Sequence, residues 1–116
     1  MAKDPFLENA VMEVLWGAAG GMTPREVLED LPSEHAVQYT TVMTVLARLW
    51  KKGRVERERS GRAYSYQPVL TRSEHAAARM EEILDTAGDR SRALARFTEQ
   101  LSASERRRLR EYLEGP

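Results

Sequence analysis

Apolar residues recur every three or four positions through most of the chain, the spacing of helices that bury one face. In the first half this spacing predicts three helices, at about 5–18, 24–31 and 39–52. The second predicted helix begins with the capping sequence Thr-Pro-Arg-Glu at 23–26. The third has the clearest apolar stripe, formed at i, i+3, i+4 and i+7 by Val42, Val45, Leu46 and Leu49.

After Gly53 the pattern is that of short strands. Residues 55–59 and 63–67 predict two strands joined by a glycine turn at 60–62. We expect Tyr64 and Tyr66, which share one face of the second strand, to pack beneath this hairpin rather than to stack on bases. Three helices followed by a basic hairpin is the order of elements in a winged helix-turn-helix.

Beyond Pro68 the pattern is helical throughout, with helices opening after the caps Thr71 and Ser102 and another at about 90–100. Three amphipathic helices this short can hardly form a core alone. They could fold back on the first half, but association of two copies is the functional interpretation. The residues expected to form the dimer interface are the apolar ones: Met80, Ile83, Leu84, Leu94, Phe97, Leu101, Leu109, Tyr112 and Leu113.

The predicted fold class is therefore mainly α with a small antiparallel β-hairpin. It comprises a winged helix-turn-helix DNA-binding domain at 1–70 and a C-terminal helical dimerisation tail at 71–116.

Charge is unevenly distributed, although the formal net charge is +0. Residues 1–47 carry a net −5, residues 48–62 a net +5, and the remainder sums to zero. Phosphates respond to the local field, within about 10 Å at moderate salt. The basic segment is therefore a candidate for binding nucleic acid, with an ordinary solvated surface as the alternative.

The third helix and the hairpin together supply the side chains suited to DNA. Threonine offers a hydroxyl to base edges and a methyl group to thymine, while arginine reaches guanine or phosphate. Thr41, Thr44 and Arg48 share one helix face at i, i+3 and i+7. The predicted DNA contacts are Thr40, Thr41, Met43, Thr44, Arg48, Lys51, Lys52, Arg57, Arg59 and Arg62. The alternative is that threonines and charges are simply tolerated on a helix surface.

The sequence gives little support to catalysis or to a cofactor. There is no cysteine, no phosphate-binding loop and no metal-ligand spacing. The two histidines, His35 and His75, lie in polar stretches beside helices with no visible catalytic partner. We expect a protein that is not an enzyme, without cofactor or metal. With no membrane-length apolar run and no signal-peptide pattern, we expect a cytoplasmic location.

Three segments resemble the penicillinase-repressor family of BlaI and MecI, which has the copper-responsive CopY repressors as relatives. These segments are the third helix (39–53), Glu8-Asn9-Ala10-Val11-Met12-Glu13-Val14-Leu15-Trp16 in the first, and Arg62-Ala63-Tyr64-Ser65-Tyr66 in the hairpin. The resemblance covers about residues 6–114.

The resemblance implies a homodimer that represses genes, often β-lactamase operons of antibiotic resistance, at palindromic operators with TACA and TGTA arms. It implies base contacts by Thr41 and Thr44 and backbone contacts by Arg48 and Arg62.

The resemblance also bears on inactivation. Family repressors are often inactivated by a sensor protease that cuts before a phenylalanine, typically after an asparagine. The matching pair here is Arg96-Phe97, so the asparagine is replaced. The copper relatives bind metal through tail cysteines, which this chain lacks.

Other classes of function remain open at this point. The third helix could dock another protein, in which case binding to DNA would lack a steep salt dependence. The chain could be an enzyme or a ligand sensor, which would require a pocket with convergent polar groups. A winged-helix repressor of another family, released by a small molecule, is the nearest competitor.

Overall fold

A computed structural model of the chain describes residues 6–115. Over this range six α-helices and one antiparallel strand pair follow each other along the chain, which confirms the predicted fold class. Their bounds are α1 Leu7–Gly17, α2 Pro24–Asp30, α3 Tyr39–Lys51, β1 Val55–Ser60, β2 Ala63–Pro68, α4 Arg72–Asp85, α5 Arg90–Gln100 and α6 Ala103–Glu114. The predicted start of the first helix at residue 5 lies outside the described residues. Within 6–115 no helix has both the length and the apolar character needed to span a bilayer.

The chain divides into two compact units, residues 1–75 and residues 76–116, and the division falls inside α4. The first unit holds the three N-terminal helices and the hairpin. A short 3₁₀ turn at Ser33–His35, which the sequence pattern did not predict, lies between α2 and α3.

The starts of α2, α4 and α6 are fixed by reciprocal side-chain caps, as the sequence predicts, whereas α1 and α3 begin without a side-chain cap. The Thr23 hydroxyl accepts from the backbone N–H of Glu26 (3.3 Å), whose carboxylate accepts from the N–H of Thr23 (2.9 Å). Ser102 and Glu105 repeat this box at the start of α6. Hydrogen bonds donated by the Ser102 backbone N–H and hydroxyl hold the pKa of the Glu105 carboxyl below its usual range.

The core of the first unit forms around α3. The four stripe residues of α3 are buried, in agreement with the sequence pattern. They belong to a single apolar cluster with the buried faces of α1 and α2 and with the hairpin; the other members are Leu7, Val11, Met12, Leu15, Met22, Val27, Val55 and Tyr66. Burying one face of α3 so completely leaves its opposite face to solvent.

The hairpin is joined to this core along both of its strands. Ser60 pairs with Ala63, so Gly61 and Arg62 form a two-residue turn, and Gly61 has the positive φ (64°) that a tight hairpin turn requires. Met22 adds a single antiparallel bridge on the outer edge of β2, exchanging two backbone hydrogen bonds with Tyr66 (2.9 and 2.8 Å). Tyr66 is buried and Tyr64 packs against the core, which confirms the packing expected of both tyrosines.

A buried carboxylate ties α1 to the segment that leaves α3. Glu8 is only 8% exposed, and its two oxygens accept from Arg54 (2.8 Å) and Lys52 (3.1 Å). Arg54 is itself 5% exposed. A charge removed from water must be matched by a close opposite charge, and here two cations share one carboxylate.

The first residues of α4 are anchored on α1. The indole N–H of Trp16 donates to the carbonyl oxygen of Leu70 (2.9 Å), and its ring meets His75 edge-on at 5.8 Å. His75 is buried within α4, whereas the sequence pattern suggested a polar position beside a helix.

An exposed ion pair also joins α4 to α1. Arg72 donates to Glu13 (2.7 Å) and holds the pKa of that carboxyl below its usual range. This small contribution to stability is present at neutral pH and is lost as the pH falls through the lowered pKa.

The second unit buries none of its large apolar side chains. No residue of α5 or α6 is buried, and most of the predicted interface residues lie well exposed, from Phe97 at 45% to Leu113 at 79%. Among the predicted interface residues, only Leu84, Leu101 and Leu109 are partly buried. A single copy of the tail thus leaves its apolar stripes in water, which is unfavourable.

We expect Glu8→Ala to lower the free energy of unfolding by about 3–5 kcal/mol, because the Arg54 charge would stay buried without its carboxylate. Denaturant unfolding at one fixed protein concentration measures this, since association of the tail would add to apparent stability. The control is Glu13→Ala, which removes an exposed ion pair on the same helix and should cost far less. Equal losses in the two variants would contradict the structural role assigned to Glu8.

Candidate nucleic-acid interface

The exposed face of α3 gathers the side chains predicted to meet DNA. Thr40, Thr41, Met43, Thr44, Arg48 and Lys51 all lie in the exposed part of this helix, opposite the buried stripe. Thr41, Thr44, Arg48 and Lys51 follow i, i+3, i+7 and i+10 spacing and form one continuous ridge. The major groove admits an α-helix, so an exposed helix face of short polar and long basic side chains is suited to it.

Thr44 has a fixed hydroxyl. Its Oγ1 donates to the backbone carbonyl oxygen of Thr40 (3.0 Å), a bond that helix threonines often make. The hydroxyl proton is therefore engaged within the helix, and the oxygen lone pairs and the methyl group remain for a ligand. Thr44 is thus suited to accept from an amino group or to contact a thymine methyl.

The two faces of the hairpin differ in charge. Arg57 lies opposite Tyr66 and Arg59 opposite Tyr64, so these four side chains share one face. Glu56 and Glu58 occupy the other face. A duplex would meet repulsion from the two glutamates. Because Tyr66 on the arginine-bearing face is buried in the core, only the outer end of that face, with Arg59, and the tip of the hairpin are open to phosphate.

Not every basic residue of segment 48–62 is available. Arg54 is buried against Glu8, and Lys52 shares that carboxylate. Arg57 is half-buried, with its guanidinium carbon 3.7 Å from the centre of the Trp50 ring and 4.1 Å from that of Tyr64. The exposed cations of the segment that the structure leaves open to solvent are Arg48, Lys51, Arg59 and Arg62.

One further cation lies beside this surface and was missed from the sequence. Arg25, exposed in the first turn of α2, has its guanidinium carbon 5.1 Å from the centre of the Tyr39 ring at the start of α3. It sits far from the basic segment along the chain, so the charge distribution gave no sign of it. The α2–α3 connection is short and brings the starts of the two helices together. That feature of the sequence could have predicted that Arg25 lies near the start of α3.

The structure offers little for a competing chemistry. Within residues 6–115 no group of histidine, aspartate and glutamate side chains could hold a metal ion. An open hollow of about 350 Å³ is lined by residues of α1, of the end of α2 and of the 3₁₀ turn, including Glu13, Asp30 and His35. No residue of α3 or of the hairpin lines it.

Comparison with known proteins shows the family of this chain. The family model described as penicillinase repressor matches residues 6–115. The chain belongs to the penicillinase-repressor family. The members of this family are transcriptional repressors, and the expectation that the chain is not an enzyme is thereby confirmed.

Individual members are similar over most of their length. The transcriptional regulator BlaI of Mycobacterium tuberculosis is 43% identical over 110 residues, covering 92% of this chain and 80% of that protein. The penicillinase repressor of Bacillus licheniformis is 29% identical over 88 residues, covering 73% and 68%. Among solved structures, the DNA-binding domain of the repressor BlaI is 30% identical, with a TM-score of 0.48, covering 64% of this chain and 93% of that one.

Gly21, next to the Met22 bridge, lies close to the side chain of Ser65 on the hairpin. A Cβ atom there would lie 2.1 Å from Ser65 Oγ and 3.3 Å from Ser65 Cβ. We expect Gly21→Ala to cost about 1–3 kcal/mol of stability by overpacking, and Ser65→Ala to restore part of it. Gly20→Ala is the control, because nothing lies within 4 Å of its added Cβ. Thermal unfolding at fixed concentration measures the set, and a Gly21→Ala protein as stable as Gly20→Ala would contradict the close approach.

Proposed function

We propose that this protein is a DNA-binding transcriptional repressor that acts as a homodimer on a palindromic operator in the cytoplasm. The observation that carries the proposal is the exposed polar face of α3, which faces solvent because the opposite face of the helix is buried. Membership in the penicillinase-repressor family supports it. An operator with TACA and TGTA arms, in front of a β-lactamase or related stress operon, is the target that the family resemblance implies.

In this mechanism α3 enters the major groove and the hairpin grips the flanking backbone. Thr41 and Thr44 contact base edges, with Thr40 and Met43 beside them, while Arg48 and Lys51 reach phosphates.

The hairpin binds the sugar–phosphate backbone through Arg59 and Arg62, which lie at its exposed end. Lys52 and Arg57, which already contact protein groups, support this surface from behind.

Dimerisation through the tail would bring a second copy of α3 to the other half-site of the operator. Each stripe of exposed apolar residues on α4, α5 and α6 loses contact with water when a second copy covers it. A two-fold dimer then presents two copies of α3 to a palindrome and doubles the contacts. Repression follows because the bound dimer occludes the promoter.

Release from DNA follows from any event that weakens the dimer, since a monomer keeps only one half-site. The Arg96–Phe97 bond, which matches the family's cleavage position, lies within α5, and Arg96 also pairs with Glu99 at 3.5 Å. A sensor protease would need an extended segment, so α5 must first unwind locally. We therefore place the inducing event in the second unit.

The proposal is tested by fluorescence anisotropy on a labelled TACA/TGTA palindrome and on a scrambled duplex, each at several salt concentrations. We expect tighter binding to the palindrome and a steep loss of affinity with salt. Arg48→Ala should make the slope of log K against log salt less steep by about 0.9, the value of one phosphate contact. Arg92→Ala, an exposed arginine of α5, is the control and should leave the slope unchanged. Salt-insensitive binding would contradict the proposal, and equal binding to both duplexes would contradict this operator.

Dimerisation through the tail is tested by Phe97→Asp, which places a charge in the apolar stripe of α5. We expect the variant to shift toward monomer in sedimentation-velocity experiments at micromolar concentration. Ala95→Asp is the matched control, since this exposed residue of the same helix lies on the face opposite Phe97. A dimer of unchanged stability in Phe97→Asp would show that α5 does not form the interface.

A further inference from the structure

Arg57 is predicted from the sequence to contact DNA, but its surroundings in the structure indicate another role. We propose that Arg57 is a positioning residue, which fixes the hairpin against the end of α3 by stacking on Trp50 and Tyr64. The inference rests on the proposed function for its effect on DNA binding, and on the geometry of the unbound protein for the contact itself.

The guanidinium meets two aromatic rings from two different elements. Its central carbon is 3.7 Å from the centre of the Trp50 ring, in the last turn of α3, and 4.1 Å from the centre of the Tyr64 ring, on β2. Both distances are well inside the 6 Å within which a cation is attracted to a ring face. A planar guanidinium can stack on rings in a way that a compact ammonium group cannot.

The stack continues from Arg57 into the core. Tyr64 meets Tyr66 edge-on at 6.4 Å, and Tyr66 is buried and hydrogen-bonded through its backbone to Met22. Trp50, Arg57, Tyr64 and Tyr66 thus form a continuous series of ring contacts from the exposed end of α3 to the core. The only direct covalent link between α3 and β1 is the short segment that contains Gly53, whose φ is 75°. The Arg57 side chain adds a second, non-covalent contact between α3 and the hairpin.

Arg57 differs in this respect from its neighbour Arg59 on the same face of β1. Arg59 is exposed and lies 5.7 Å from the centre of the Tyr64 ring alone. If Arg57 turned to reach a phosphate, it would give up both ring contacts and uncover Trp50, which is already 41% exposed. Arg59 can reach phosphate at little cost, so the two arginines have different tasks.

Arg57→Lys and Arg57→Ala separate the two roles, with Arg59→Ala as the control. In operator titrations over a salt series, positioning predicts that both Arg57 variants weaken binding about tenfold, without changing the salt slope. Lysine should not rescue, because it keeps the charge and loses the stacking. Arg59→Ala should make the slope less steep by about 0.9.

A second measurement needs no DNA. Amide hydrogen exchange of the free full-length protein should show faster exchange over residues 55–68 in both Arg57 variants and unchanged exchange in Arg59→Ala. Trp50→Ala should produce the same acceleration, and adding Arg57→Ala to it should produce little more.

Two results would overturn the inference. The first is an Arg57→Lys protein with wild-type affinity, together with a reduced salt slope in Arg57→Ala, which would make Arg57 a phosphate ligand. The second is wild-type exchange of the hairpin in both Arg57 variants. Failure of the wild-type protein to bind any duplex would instead contradict the proposed function, and the exchange measurement would still decide the role of Arg57.

Discussion

Four side chains of α3 are almost wholly removed from water, and their burial decides where every other residue of that helix points. Val42, Val45, Leu46 and Leu49 occupy one side of the helix and pack with α1 and α2. Since a helix has only one rotation that satisfies this stripe, the threonines and Arg48 are directed to solvent. The apolar pattern therefore fixes the polar surface as well, and the candidate site is a consequence of core packing.

Polar and aromatic contacts hold the neighbouring elements to this helix. Glu8 joins α1 to Lys52 and Arg54 beyond its end, Arg57 joins its last turn to the hairpin, and Arg25 lies over Tyr39 at its start. The Glu8 carboxylate offsets part of the charge of Lys52 and Arg54, whereas Arg57 and Arg25 keep their charge but are held against aromatic rings. The net charge of a segment thus overstates the charge available for binding.

Local signals in the sequence were enough to predict the six α-helices and the two strands, although not the 3₁₀ turn at Ser33–His35. The α3 stripe, the capping boxes at Thr23 and Ser102 and the turn at Gly61 all depend on residues a few positions apart, and each was found as expected. The contacts that decide which basic residues are exposed to DNA join positions far apart along the chain. Glu8 and Arg54 are 46 positions apart, and Trp16 and His75 are brought together only by folding. The spacing of apolar and polar residues gives no sign of such distant pairs. The roles of Arg54, Arg57 and His75 could therefore not be predicted from the sequence.

The proposed DNA-binding surface consists of the exposed face of α3 and the tip of the hairpin. NMR mapping of amide and side-chain resonances during titration with an operator duplex tests it most directly, and the chain of 13.2 kDa is small enough for it. We expect the largest shifts at Thr41, Thr44 and Arg48 on α3 and at Arg59 and Arg62 on the hairpin, with smaller shifts at Glu56 and Glu58. Shifts concentrated instead on α1 and α2, with α3 unchanged, would contradict it.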